Sequence, residues 1–207
     1  MGRLLIVRHG ETEWNAEGRI QGHTDVALSD KGRRQASLVA ERLSGVPIDM
    51  AYSSDLLRAS ETAQWILEKR DLPLQALPEL RERYYGVFEG LTVEERQSRY
   101  PEMFAASLVN DLDFAPTDGE TTRQTASRMA GFVSGILGLH LTENVLIVGH
   151  GGSLRGVILA LMELPVEAIW RFVMANCSLS VIDTYSDNAV LRLYNDTSHL
   201  NGLASSF

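Results

Sequence analysis

Short runs of apolar residues recur along the chain and predict β-strands. Six such segments occur, at 3–7, 48–52, 74–77, 145–149, 179–184 and 190–194. The residues between them carry apolar positions at helical spacing, which predicts amphipathic helices. Strands that alternate with helices are typical of a mainly parallel sheet whose two faces are covered. We therefore predict an α/β fold, a three-layer sandwich with a mostly parallel central sheet flanked by helices.

Two of the predicted helices are indicated by apolar stripes. Apolar residues three and four positions apart lie on one face of a helix and would pack against the sheet. One stripe follows Ser29 and consists of Ala36, Val39, Ala40 and Leu43. The other follows Ser54 and consists of Leu56, Ala59, Ala63, Ile66 and Leu67.

Three further helices are indicated by their ends. Thr-x-x-Glu at 92–95 and Thr-x-x-Gln at 121–124 are capping boxes, in which the first side chain bonds to the backbone N–H three residues on. The last clear helix is predicted over 152–164, because Pro165 cannot continue it.

The segment 84–120 does not follow this alternation of predicted strands and helices. Aromatic side chains are spread through its polar sequence, namely Tyr84, Tyr85, Phe88, Tyr100, Phe104 and Phe114. We predict a helical insertion over the active site, which is either a lid or a fixed decoration. Without a linker or a low-complexity tract, the chain is predicted to form one domain over 1–207.

Composition limits the partners and the location. The chain has 207 residues, and its 19 basic and 27 acidic side chains give a net charge of −8. That charge argues against nucleic acid or an anionic membrane surface as the main partner, whereas local arginines would still allow a small anionic substrate. The single cysteine, Cys177, excludes an intrachain disulfide and is expected to be a small buried residue. With no signal-peptide pattern and no bilayer-length apolar run, we expect a cytoplasmic protein.

The most informative motif is a strand, a histidine and a glycine that occur twice. Residues 4–7 lead into Arg8-His9-Gly10, and residues 145–148 lead into Gly149-His150-Gly151. The carboxyl ends of parallel strands are where open α/β sheets bind ligands. The two histidines are therefore predicted to face each other in one site. Glycine after each would let the backbone approach a ligand, and the free N–H groups of the helix after His150 would favour an anion.

The residues around the first histidine suit phosphate chemistry. Arg8 offers a planar fork for phosphate or carboxylate. Its charge would keep His9 neutral and nucleophilic, so that the imidazole could form a phosphohistidine. Asn15 could donate to a phosphoryl oxygen, although a role in a turn is the alternative. Arg58 is predicted in the first turn of a helix, where a cation is unfavourable for the helix dipole; this suggests a function, with a solvated surface arginine as the alternative.

Two roles remain, those of the proton donor and of a second phosphate ligand. A carboxylic acid must protonate the departing oxygen and then activate water. Glu82 lies among aromatic residues, but Glu79 and Glu89 are rivals, and spacing alone does not choose among them. His150 could donate a hydrogen bond to the transferring group.

Metal binding is the main competing use of the two histidines. A zinc site would need a third histidine or a carboxylate close by, and a central arginine would repel a cation. His23, His140 and His199 are scattered without ligand spacing and are expected to be surface or packing residues. We therefore expect no metal and no cofactor.

Several separated motifs in one order resemble the histidine phosphatase superfamily, over roughly residues 3–200. They are Arg8-His9-Gly10-Glu11-Thr12 with Trp14-Asn15, Gln21-Gly22, Leu28-Ser29-Asp30-Lys31-Gly32, Ser53-Ser54-Asp55-Leu56-Leu57-Arg58-Ala59 with Glu61-Thr62-Ala63, Glu82 with Gly86 and Glu89-Gly90, Gly119-Glu120, and Gly149-His150-Gly151-Gly152. The resemblance implies that His9 is the nucleophile, Glu82 the proton donor, and Arg8, Arg58 and His150 the rest of the phosphate pocket. It also implies a metal-free reaction. Further substrate-binding or phosphate-binding positions are Asn15, Gln21, Gly22, Arg83, Tyr85 and Gly151.

Three functions are compatible with this resemblance. We favour a phosphatase of a small phosphorylated metabolite, similar to the α-ribazole and broad-specificity phosphatases. The string 82–86 also resembles phosphoglycerate mutases, where its Arg83 and Tyr85 equivalents help to hold a carboxylate. A paired Arg-Arg is absent from 96–118, however; Arg96 and Arg99 lie three apart on a predicted helix. The third alternative is a non-catalytic phosphate-binding or interaction module. Trp170, Phe172 and strand 190–194 could serve a homodimer interface or belong to the core.

Overall fold

A computed structural model describes residues 1–204; residues 205–207 of the predicted domain lie outside the described residues. Its centre is one sheet of six strands: β1 (Gly2–Arg8), β2 (Met50–Ser54), β3 (Leu74–Leu77), β4 (Asn144–Gly149), β5 (Leu179–Thr184) and β6 (Ala189–Asp196). Their spatial order is β3-β2-β4-β1-β5-β6. The first four strands in that order are parallel, whereas β5 and β6 run antiparallel to their neighbours. The prediction of a mostly parallel sheet is confirmed, as are all six strands.

The described residues form seven α-helices: α1 (Glu13–Ala16), α2 (Asp30–Leu43), α3 (Leu57–Leu67), α4 (Val93–Arg99), α5 (Pro101–Ser107), α6 (Thr122–Leu139) and α7 (Gly151–Leu161). Alternate residues of β1 enter two different cores. Leu5 and Val7 pack with α2 and α3 on one face of the sheet, whereas Leu4 and Ile6 pack with α6 and α7 on the other. Because both faces are buried, the central strands are apolar throughout, and the fold is the predicted three-layer sandwich.

The predicted starts of the helices agree with the structure, but one predicted helix end does not. Both predicted capping boxes are present, and Ser29 caps α2 by accepting from the Gly32 N–H. The prediction that the last helix reaches residue 164 was wrong, because α7 ends at Leu161. Glu163 adopts a left-handed φ of 51°, and a residue before proline is disfavoured in the helical region, so the chain leaves the helix before Pro165. The short helices α1 and α5 were not predicted.

The insertion over 84–120 contains α4 and α5 together with a 3₁₀ turn at Gly86–Phe88. Arg83 fastens it to the domain by donating to the carbonyls of Glu120 and Phe114 and to the Thr122 hydroxyl, at 2.7–2.8 Å. Within residues 1–204, no helix has the length and apolar character needed to cross a membrane.

Candidate active site

The register of the two central strands creates the site. Val7 pairs with Val148, and Arg8 pairs with Gly149, so the residue after each strand emerges at the same edge. The His9 N–H donates to the Gly149 carbonyl, and the centroids of the His9 and His150 rings lie 5.1 Å apart. The prediction that the repeated motif builds one site therefore agrees with the structure. A cleft of about 180 Å³ opens here, lined by Arg8, His9, Asn15, Ile20, Gln21, Arg58, Glu82, Tyr85 and His150.

His9 is held in one tautomer. Its Nδ1 lies 2.7 Å from the Gly10 carbonyl, which can only accept a hydrogen bond, so Nδ1 carries the proton and Nε2 has a free lone pair. The pKa of His9 lies well below its usual value, because the ring is buried and because Arg58 and Arg8 are close. From the sequence, the neutral state of His9 is attributed to the neighbouring Arg8. Burial and Arg58 contribute more, and neither can be seen from neighbouring positions in the chain.

His150 is held in the opposite tautomer. Its Nδ1 accepts a hydrogen bond from Arg58 Nε at 3.1 Å, so its proton resides on Nε2. That Nε2 is buried and has no hydrogen-bond partner among the described residues. The pKa of His150 is also well below its usual value, mainly because of burial and then because of Arg58. The cleft therefore contains one imidazole that can attack and one that can donate.

Arg58 lies in the first turn of α3 and is completely buried. Besides the bond to His150, its terminal nitrogens donate to the Thr24 carbonyl at 2.9 Å and the Gly22 carbonyl at 2.7 Å. Burial lowers the pKa of Arg58 to about 10, against the raising effect of three carboxylates led by Glu82. Three of the five guanidinium N–H groups are used, which leaves two for a ligand. Gly22 thus contributes a carbonyl that positions Arg58.

Arg8 is the second cation of the cleft, and it is half-buried. One terminal nitrogen donates to the Met174 carbonyl at 2.5 Å, whereas its Nε is buried without a partner in the part of the chain described. Burial lowers its pKa from the usual value. Met174 and Asn176, whose amide donates to the His9 carbonyl at 3.0 Å, support this side of the site. They were not predicted, because nothing in the sequence indicates that the loop before β5 passes behind β1.

The Glu82 side chain lies against the amino-terminal end of α7. Its carboxylate accepts from the backbone N–H groups of Gly152 at 2.8 Å, Ser153 at 3.1 Å and Arg83 at 2.8 Å. We expected the first N–H groups of this helix to favour a bound anion, and that expectation needs correction. Two of them bind the protein's own carboxylate instead, and so fix it where it lines the cleft.

Its two rivals do not reach the cleft. Glu89 accepts from the His23 and Thr24 N–H groups, the Thr24 hydroxyl and the Tyr85 N–H, and so ties two loops together. Glu79 has an exposed side chain, and its backbone carbonyl accepts from Arg128.

The remaining predicted residues divide into two groups. Asn15, Gln21 and Tyr85 line the cleft, and both polar atoms of the Gln21 amide are buried without partners among residues 1–204. A Cβ added to Gly151 would lie 3.6 Å from Arg8 Nε, so this residue adjoins the cleft. Arg83 points away and lines a neighbouring cavity instead. It does not line the phosphate cleft, because its three nitrogens bond Phe114, Glu120 and Thr122.

The glycine after His9 has a packing role. A Cβ on Gly10 would lie 2.6 Å from the Gly32 carbonyl, so this glycine permits the loop after β1 and the start of α2 to approach each other.

The other histidines lie outside the cleft. His140 contacts Tyr52 and Glu143, and His199 Nε2 lies 3.0 Å from the Cys177 carbonyl. His23 is closer than predicted, since its Nε2 lies 3.0 Å from the Glu82 carbonyl. Across residues 1–204, no three His, Cys, Asp or Glu side chains are grouped so that they could hold a metal ion.

Known proteins resemble this chain over almost its entire length. Residues 4–197 match the family model described as histidine phosphatase superfamily (branch 1). Phosphoserine phosphatase 1 of Hydrogenobacter thermophilus is 34% identical over 97% of this chain and 95% of that protein. The adenosylcobalamin/alpha-ribazole phosphatase of Salmonella typhimurium is 35% identical over 93% and 96%. The solved structure of Bacillus stearothermophilus YhfR superposes with a TM-score of 0.89 at 33% identity, covering 97% of this chain and all of that one.

Proposed function

Because this chain belongs to the histidine phosphatase superfamily, we propose that it hydrolyses phosphomonoesters through a covalent phosphohistidine on His9. It is a phosphatase of small phosphorylated metabolites, as are its relatives that act on phosphoserine and α-ribazole phosphate. The observation that carries the covalent route is the opposite protonation of the two imidazoles. His9 has an unprotonated Nε2 and His150 an Nε2–H, and both residues line one cleft.

The charges of the site suit a phosphoryl group. A phosphomonoester carries a charge between −1.5 and −2 near neutral pH, and Arg8 and Arg58 supply two positive charges. Arg58 is completely buried, and Arg8 is half-buried with a buried Nε, so water weakens the attraction of Arg58 for phosphate least. The unpartnered Arg8 Nε, the two spare N–H groups of Arg58 and the Nε2–H of His150 supply donors whose hydrogen bonds strengthen as negative charge develops.

The reaction proceeds in two displacements. In the first, the Nε2 lone pair of His9 forms the N–P bond while the P–O bond to the leaving group breaks, and Glu82 gives a proton to the departing oxygen. In the second, Glu82 takes a proton from water, whose oxygen forms a bond to phosphorus as the N–P bond breaks. Phosphate leaves, and both residues return to their initial states. Positioning and charge stabilisation supply most of the rate in such transfers.

Trapping of the intermediate tests this route. Wild-type protein quenched during turnover of ³²P-labelled substrate should carry an acid-labile label, and His9→Ala should carry none. His199→Gln also removes a histidine, but one outside the cleft, and should retain the label. Persistence of the label in His9→Ala would contradict the assignment of His9 as the nucleophile. An unlabelled wild type that still turns over would refute the covalent route.

A second variant tests the proton donor. Glu82→Gln should lower kcat/KM far more for an alkyl phosphate than for p-nitrophenyl phosphate, because p-nitrophenolate leaves without a proton. The same variant should accumulate the labelled intermediate, since water is no longer activated. Equal losses for the two substrates would argue against the acid role.

The mutase alternative is weakened by Arg83. Its nitrogens are bonded to the insertion, so the mutase-like string does not present a carboxylate-binding arginine to the cleft. A coupled assay with 3-phosphoglycerate, with and without 2,3-bisphosphoglycerate, separates the two activities. Isomerisation faster than phosphate release would overturn the assignment as a hydrolase.

A further inference from the structure

A buried loop before β5, residues 174–177, binds two residues that line the cleft. The Met174 carbonyl accepts from the Arg8 side chain, and the Cys177 N–H donates to the carbonyls of Arg8 at 3.0 Å and His9 at 3.3 Å. Cys177 adopts a left-handed φ of 52°, which is uncommon for a residue with a side chain. The conformation of this loop therefore reflects its contacts with the cleft residues rather than a local backbone preference.

The side chain of Asn176 joins this loop to two other segments of the site. It is buried, and its Nδ2 donates to the His9 carbonyl at 3.0 Å and to Asn15 Oδ1 at 3.4 Å. A carbonyl oxygen only accepts, so the amide nitrogen of Asn176 must face His9, and its NH₂ group has one N–H for each of the two oxygens. Asn176 thus connects the backbone of the proposed nucleophile to a side chain that lines the cleft.

The amide of Asn15 is held in one orientation by its own contacts. Its Oδ1 accepts from the Thr12 N–H at 3.1 Å, from the Thr12 hydroxyl at 3.2 Å and from Asn176. A backbone N–H only donates, so the Asn15 oxygen must face Thr12, and its Nδ2 has no hydrogen-bond partner within residues 1–204. The two roles expected for Asn15 are therefore compatible, because the oxygen belongs to the capping box of α1 and the N–H groups are left for a phosphoryl oxygen.

We propose that Asn176 is a positioning residue, which holds the backbone of His9 and, through Asn15, keeps an amide N–H available to the phosphoryl group. This inference rests on the proposed phosphatase function, and Asn176 itself does not line the cleft. Its two contacts should affect different steps. A misplaced His9 lowers the rate of attack, whereas a turned Asn15 amide weakens the binding of phosphate, since hydrogen bonds to a charged group are strong.

Competitive inhibition by inorganic phosphate isolates the contact with Asn15. The Ki, measured against p-nitrophenyl phosphate, does not depend on the folded fraction of a preparation. Asn15→Ala should raise Ki by about tenfold or more, and Asn176→Ala by about fivefold, the ranges for a charged and an ordinary hydrogen bond. In the double variant Ki should stay within about twofold of that of Asn15→Ala, because no Asn15 amide is left to orient.

The turnover number reports the contact with His9. In both backgrounds, Asn176→Ala should lower kcat, corrected for the folded fraction, by about tenfold, because the His9 carbonyl loses the same donor in each. A role of Asn176 in packing alone would instead change Ki equally with and without the Asn15 side chain.

Two Asn→Asp variants keep the shape of the loop and provide the matched control. Asn176→Asp replaces the NH₂ group by an oxygen that cannot donate, and should lower kcat and raise Ki at least as much as Asn176→Ala. Asn195 contacts the same loop, but its Oδ1 accepts, from the Ala175 N–H at 2.7 Å, and an aspartate still accepts. Aspartate also tolerates the φ of 51° at this position. Asn195→Asp should therefore keep kcat and Ki within about twofold of wild type.

Each outcome decides for or against the positioning role. An equal rise of Ki for Asn176→Ala with and without the Asn15 side chain would overturn the proposal, as would an unchanged Ki in Asn15→Ala. Wild-type kcat in both Asn176 variants would also overturn it, and so would equal losses in the two Asn→Asp variants. A wild type that hydrolyses no phosphomonoester would instead contradict the phosphatase function.

Discussion

The packing of Gly152 against Glu82 allows the proposed proton donor to be displaced without being removed. A Cβ built on Gly152 would lie 2.3 Å from Glu82 Oε1, and the other atoms nearest to it also belong to that carboxyl group. Gly152 is the second residue of α7, a helix that alanine favours. Gly152→Ala therefore perturbs the position of the Glu82 carboxylate and little else.

The magnitude follows from the displacement that the methyl group requires. An ordinary contact begins near 3.4 Å, so the carboxylate must shift by about 1 Å, a misplacement that can cost about a hundredfold in rate. Stability should change much less, because the end of a flexible glutamate can turn into the open cleft. A change below about 1 kcal/mol corresponds to a melting temperature within about 4 °C of wild type for a chain of this size.

The assay compares kcat/KM for an alkyl phosphate and for p-nitrophenyl phosphate. We expect about a hundredfold loss for the alkyl ester and less than tenfold for the activated one, since only the former needs a proton. Gly131→Ala on α6, where a Cβ would meet nothing within 4 Å, is the matched control and should retain full activity. Wild-type turnover of the alkyl ester by folded Gly152→Ala would show that Glu82 does not depend on its place at α7.

Three further predictions follow from burial and charge. Arg58→Met removes a cation that lowers the pKa of His9, so the acid limb of the kcat/KM profile against pH should move to higher pH. Arg58→Lys keeps the charge and should leave the acid limb in place. An equal shift of the acid limb in both variants would contradict the electrostatic cause. The pKa of His9 and of His150 is lower in the folded state than in the unfolded chain, so below pH 6.5 only the unfolded chain binds a proton at these rings. The free energy of unfolding should therefore fall as pH falls, by about 1.4 kcal/mol per pH unit for each ring. Denaturant titrations at pH 7, 6 and 5 should give a shallower loss of stability for His150→Asn than for wild type, and parallel curves would refute this. Burial raises the pKa of the Cys177 thiol, so a thiol reagent at pH 8 should modify it only after unfolding, and rapid reaction of folded protein would contradict its burial.

The sheet and much of the site could be predicted because they depend on local patterns. Apolar runs located all six strands, and the pairing of β1 with β4 brings His9 and His150 together at one edge. Arg58 could be placed in a helical first turn because the polar residues before it follow a buried strand. Each of these inferences needs only a strand, its carboxyl end and the residue that follows.

The rest of the site depends on contacts between distant segments. Three glutamates within eleven residues of one another looked equivalent in the sequence, and only the approach of α7 separates Glu82 from Glu79 and Glu89. Arg83 follows Glu82 directly, yet its side chain turns into the insertion. Which of these side chains lines the cleft depends on which backbone groups need a hydrogen-bond partner, and those groups are brought into place only when the chain has folded.

The unequal tasks proposed for the two histidines depend on such contacts as well. Both rings are buried, lie near the same arginines and have a pKa lowered by the same causes, so electrostatics alone would make them interchangeable. What separates them is the partner of Nδ1: a carbonyl forces a proton onto His9 Nδ1, whereas a guanidinium N–H forces the lone pair onto His150 Nδ1. The centroids of the two rings lie 5.1 Å apart, so the free lone pair and the free N–H belong to one cleft. Arg58 therefore has a second part in the proposed mechanism besides attracting phosphate, because its Nε fixes which imidazole can donate and leaves His9 as the proposed nucleophile.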